Sequence, residues 1–106
     1  MKQLGTVSII SAANTRPNWV GALKVSVVDG RIKPRDYIRS SPGKLYRITQ
    51  LQALDGSRIA EIGKGSKAVL IVEPDLPPPI VNVTSVLLKY PHEFVEDQTA
   101  QILGDG

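Results

Sequence analysis

The chain has 106 residues, 42% of them hydrophobic and 22% charged, with a formal net charge of +3 and no cysteine. That length suits one domain with a real core and excludes two, while the missing cysteines exclude disulfide staples, thiolate nucleophiles and thiolate metal sites. With His92 the only histidine, an imidazole metal cluster or a serine triad is hard to assemble.

The charge is unevenly spread. Residues 1–72 hold twelve Lys or Arg against four Asp or Glu, and residues 73–106 hold one Lys against six acids. A basic body with an acidic tail points to a polyanionic partner, nucleic acid or the ribosome; the plainer alternative is that the cations only keep the domain in solution. No apolar run approaches the roughly 18 residues of a membrane span, and the start MKQLGTVSII has no small-residue cleavage site. The expectation is a cytoplasmic protein that begins at its own Met1 and has no membrane partner.

Apolar residues recur with period two in short runs separated by Gly, Pro, Asn and Asp. This predicts an all-β domain, with strands over residues 4–10, 20–28, 36–39, 45–54, 58–62, 67–73 and 80–90. Asp29-Gly30 and Asp55-Gly56 read as hairpin turns, and Ser41-Pro42-Gly43 joins a fixed Pro angle to a Gly. Residues 45–54 alternate with Leu45, Arg47, Thr49 and Leu51 on one side and Tyr46, Ile48, Gln50 and Gln52 on the other, so neither side is purely apolar. EPDLPPPIV, residues 73–81, carries four of the eight prolines and is expected as an extended connector. The segment after Pro91 reads as a short helix, a docked flap or a frayed end. The expected layout is one domain, with residues 1–73 as basic barrel body, 74–90 as Pro-rich connector and closing strand, and 91–106 as acidic tail. Oligomeric expectation is a monomer or a weak dimer paired through the strand at 80–90.

Sites with enzymatic chemistry are not indicated. GKGSK at residues 63–67 lacks the spacing of a phosphate-binding loop and reads as a tight turn between strands. His92, Glu93, Glu96 and Asp97 have too little apolar mass around them to perturb their ionisation, and read as a solvated face. No catalytic residue, metal site or cofactor is expected.

The stronger signal is basic. Arg31, Lys33, Arg35, Arg39, Lys44 and Arg47 fall within seventeen residues against the single acid Asp36, on strands and turns. With Lys24 they suit phosphate contacts from a rigid support. In the loop NTRPNW, Arg16 and Trp19 offer a guanidinium and a ring able to stack on an unpaired base, although Trp19 equally suits a core lid.

Residues 19–73, WVGALKVSVVDGRIKPRDYIRSSPGKLYRITQLQALDGSRIAEIGKGSKAVLIVE, carry several linked features: a strand opening at Val20-Gly21, a G-x-I-K-P element from Gly30 to Pro34, Ile38-Arg39, a Gly turn at Gly43, a strand ending near Leu51, and an E-x-x-x-G element from Glu61 to Gly65 before an apolar strand. In these features the segment resembles the β-barrel that recurs in translation GTPases as the second domain of elongation factor Tu, and within that superfamily the C-terminal barrel of initiation factor two. The resemblance implies a small closed six-stranded β-barrel with an extended C-terminal segment. It also implies contact with the acceptor end of tRNA or with the ribosome, and an aminoacyl-end pocket partly lined by Gly65, Ala68 and Val69. Ala68 and Val69 stand where a Cys-Gly pair is typical, a departure at that pocket.

No Walker A or other nucleotide-binding motif occurs, so GTP hydrolysis is not expected of the chain. The functional expectation is a stand-alone translation-factor-like barrel that binds tRNA or ribosomal RNA, with or without a translation GTPase or other protein beside it. The alternative is a protein-binding adaptor in which the acidic tail or Pro-rich connector meets a partner.

Overall fold

The structure, a computed structural model, describes residues 1–14, 21–40, 43, 45–74, 94 and 97–104. Within them the alternating runs form strands: β1 Lys2–Asn14, β2 Gly21–Ile32, β3 Tyr37–Arg39, β4 Leu45–Gln52, β5 Ile62–Gly63, β6 Lys67–Pro74 and β7 Thr99–Gly104. No helix occurs among the described residues, and so none long and apolar enough to cross a membrane. Six of the strands close a ring in the order β1, β7, β3, β4, β6, β2 and back to β1, with β5 appended to β2. Every ladder is antiparallel. Closure leaves the ring without an edge, and it lets a chain of this size wrap one core.

One residue in two points into that core. Val7 and Ile9 from β1, Val25 and Val27 from β2, Ile38 from β3, Leu70 and Val72 from β6 and Ile102 from β7 are all buried. Tyr46 is the largest fully buried side chain among the described residues, and its ring meets Phe94 edge to face at a centroid distance of 5.1 Å. Replacing it removes both area and the aromatic contact. Tyr46→Ala is therefore expected to lower the unfolding free energy by about 3–5 kcal/mol, read as a lower urea midpoint at unchanged slope.

Bulges explain where simple alternation fails. In β4, Ile48 pairs with Val72 and Gln50 with Ile71, so Thr49 is an extra residue and its hydroxyl donates to the Ile71 carbonyl at 3.1 Å. The side-chain phase flips there, and Tyr46, Ile48 and Leu51 all point inward although they belong to opposite faces of a regular strand. The mixed faces expected for residues 45–54 become one apolar inner face. β2 does the same at Val28, which is extra between the pairs Val7–Val27 and Thr6–Asp29 and lies exposed.

That bulge also corrects the expected hairpin at Asp29-Gly30. The strand runs through it to Ile32, because Gly30, at φ 78°, lets β2 press against β1 opposite Gly5. Asp55-Gly56, in contrast, does form a hairpin. Gly56 N–H donates to Ala53 O, Ala53 N–H to Ser57 O, and Gly56 takes φ 91°. Ser57 Oγ and N–H donate to Asp55 Oδ1 at 2.6 and 2.9 Å and hold its carboxyl below the usual carboxylate range. The returning arm expected over residues 58–62 is reduced to a single bridge, Gln52 to Arg58, followed by the two residues of β5.

Gly63–Ser66 is a tight turn with Gly65 at φ 88°, closed by Ser66 N–H to Gly63 O. It does not reverse the chain, since β5 and β6 both run antiparallel along β2. At residues 41–43 the described part is Gly43, at φ 94°, whose N–H donates to Ser40 O. Of the proline-rich connector, Glu73 and Pro74 are the end of β6, with Pro74 opposite Tyr46. The strand expected over 80–90 lies outside the described residues.

The largest correction concerns the tail. Residues 99–104 are neither helix, flap nor frayed end but β7, a ring strand seated between β1 and β3. Ala100 and Ile102 face the core and Leu103, on the opposite side of the strand, is buried as well, an apolar content obscured in sequence by the acids that precede it.

Candidate nucleic-acid interface

Because neighbouring strands run antiparallel, the ends of all six ring strands collect at two rims. One rim gathers the start of β1, the β2–β3 connection, the hairpin after β4, the Gly63–Ser66 turn and the end of β7. Arg31, Lys33 and Arg35 all belong to it and are exposed. So are Lys64 and Lys67, which in the sequence stand only as parts of a turn. Their signal was present in the register of the GKGSK segment beside β2, which a one-dimensional reading does not contain: Gly63 stands opposite Arg31, and Lys67 opposite Ser26.

The β2–β3 connection is a locked turn. Pro34 fills the second position of Lys33-Pro34-Arg35-Asp36, and Arg35 fills the third at φ 80°. That conformation costs a residue with a Cβ about 1–2 kcal/mol. Asp36 N–H donates to Lys33 O at 3.2 Å, and the buried Asp36 carboxylate accepts Lys33 N–H at 3.0 Å. Two further bonds tie the turn to β4: Arg35 N–H to Ile48 O and Ile48 N–H to Asp36 O, both 2.8 Å.

Beside this turn the wall parts. Counted back toward its start, β1 pairs with β2 as far as Gly5–Gly30, after which its first residues pair with β7 alone. An open groove of about 350 Å³ occupies the gap, lined by Leu4, Gly30, Arg31, Ile32, Lys33, Asp36 and Glu61. Arg31 Nη1 lies 3.1 Å from Glu61 Oε1 across the β2–β5 pair, with the two side chains 76% and 47% exposed. A pair so exposed contributes little to stability. Its chemical effect is to occupy a guanidinium with a carboxylate at the mouth of the groove.

The other sequence-derived residues are not brought to this rim. Lys24 projects from the middle of β2, opposite Val69 and Ser11. Arg39, on β3, donates to Gln101 of β7 at 3.3 Å, and Arg47 on β4 is paired with Glu73 on β6. Of the pocket residues, Gly65 is exposed, Val69 is half-buried and Ala68 is fully buried in the core, so Ala68 packs the barrel rather than facing a ligand. None of the three lines the groove. Arg16, Trp19 and Lys44 lie outside the described residues, as do His92, Glu93 and Glu96. No cluster of three or more His, Asp or Glu able to hold a metal occurs among the described residues.

Chemically, the rim can hold phosphates: several exposed cations stand on backbone fixed by hydrogen bonds, beside a groove with an apolar floor from Leu4 and Ile32. No protein-family model matches the chain, and no curated protein matches it at a significant level.

Proposed function

We propose that this barrel binds RNA of the translation apparatus, the acceptor end of tRNA or ribosomal RNA, and does so without hydrolysing GTP. The observation that carries the proposal is the locked β2–β3 turn, which holds the exposed cations Lys33 and Arg35 on backbone fixed at both ends. Cations already ordered lose less conformational entropy on meeting phosphates than those of a floppy arm. The likeness of residues 19–73 to the barrels of translation GTPases narrows the RNA to that of translation.

The test is sedimentation of the tagged protein through a gradient of host-cell extract, with and without ribonuclease, at low and moderate salt. Co-migration with ribosomal particles or tRNA that ribonuclease abolishes is the expected result. A light complex insensitive to ribonuclease would overturn it in favour of a protein adaptor.

Glu61 supplies an internal check. Its carboxylate competes with phosphate for Arg31, so Glu61→Gln is expected to tighten RNA binding and steepen its salt dependence. Arg31→Gln should do the reverse, reducing the slope of log K against log salt by about 0.7–0.9. Titration of labelled RNA at several salt concentrations reads both.

A further inference from the structure

The turn at residues 33–36 needs positive φ at its third position, a demand that glycine meets without steric cost and arginine does not. The bonds that hold the turn come from its backbone and from the Asp36 carboxylate. Arg35 contributes its N–H, which glycine would also provide. Its side chain is exposed and, among the described residues, makes no hydrogen bond or ion pair. Arginine at this place therefore strains the backbone and returns nothing to the turn. Strain retained in this way marks a side chain wanted for an external contact.

We infer that Arg35 is a dedicated phosphate-contacting residue, held at the tip of the β2–β3 turn so that its guanidinium reaches an RNA phosphate beside the groove bounded by Arg31 and Lys33. The inference rests on the RNA reading above and assigns one of its anchors. A guanidinium fork suits the oxygens of a phosphodiester, and its projection from a short rigid turn fixes direction as well as charge.

Arg35→Gly separates the two contributions, because it relieves the backbone while deleting the side chain. Affinity for fluorescein-labelled total tRNA and for fragmented ribosomal RNA is measured by anisotropy over a series of salt concentrations, and thermal midpoints are measured on the same samples. The expected result is a midpoint at or above that of the unsubstituted protein, with affinity about tenfold weaker and a salt slope smaller by about 0.7–0.9. Arg35→Lys should restore part of the affinity but not the higher midpoint.

Three results would overturn the inference. If Arg35→Gly binds with unchanged affinity and slope while Arg31→Gln weakens binding, the contact is absent and the RNA reading stands. A midpoint several degrees lower for Arg35→Gly would mean that the side chain supports the turn after all. If the unsubstituted protein binds neither RNA at low salt, both the inference and the reading on which it rests fall.

Discussion

A chain truncated after residue 98 is expected to lose its cooperative unfolding transition altogether. The deletion removes β7 from between β1 and β3, and the ring cannot close without it. Burial of Ile102 and Leu103 is lost, at about 1.5–3 kcal/mol for each side chain. Two ladders vanish with them, one along β1 from Lys2 to Ser8 and one along all three residues of β3. Small domains are stable by about 5–15 kcal/mol in total, so these losses together consume the margin. Urea titration followed by Trp19 fluorescence and circular dichroism should show a broad, non-sigmoidal change, accompanied by association through the two opened edges. A truncated chain that kept a sharp transition would place β7 outside the wall. The same result governs how the adaptor alternative is tested, because the acidic residues ahead of β7 cannot be studied by cutting the chain before them. Charge-neutral substitutions within 91–98 serve that purpose without opening the barrel.

Gly30→Ala is the glycine substitution expected to cost most. A Cβ built there lies 2.0 Å from the Leu4 carbonyl oxygen and 2.5 Å from Gly5 Cα, and the backbone sits at φ 78°. Both obstacles are main-chain atoms of a paired strand, so no rotamer change relieves them. The positive dihedral alone costs about 1–2 kcal/mol, and separation of β1 from β2 brings the expected loss to about 3 kcal/mol or more. Gly56→Ala provides the comparison. Gly56 has φ 91° with nothing within 4 Å of the added methyl, so only the dihedral cost of about 1–2 kcal/mol applies. Denaturant midpoints for the two variants should differ clearly, and equal losses would remove the close approach of β1 and β2 as the cause. Because Gly30 also lines the groove, its substitution should disturb Arg31 as well.

The close approach at Gly30 shows where sequence reading stops. Asp29-Gly30 and Asp55-Gly56 are the same dipeptide with the same tolerance for positive φ. Only Asp55-Gly56 closes a hairpin. At Gly30 the opposing strand is Gly5, twenty-five residues earlier, and its passage within contact distance converts a turn signal into a crossing point. The phase of β4 behaves similarly. Nothing in LYRITQLQ marks Thr49 as the bulge, because a bulge is defined by the partner's register and that partner is β6.

By itself the sequence determined what is local: strand-forming alternation, the absence of helical periodicity in the first 72 residues, the Asp55-Gly56 turn, and a body rich in cations. These follow from near neighbours, because a period of two and the dihedral freedom of Gly act over a few residues. The tertiary structure decided what is long-range: that residues 99–104 close the ring, that Val28 and Thr49 stand out of phase, and that Arg31 meets Glu61 thirty positions away. It also divided the cations, gathering Arg31, Lys33, Arg35, Lys64 and Lys67 at one rim while pairing Arg47 with Glu73. A closed barrel fixes every strand by two neighbours remote in the chain, so register and rim membership are properties of the ring as a whole.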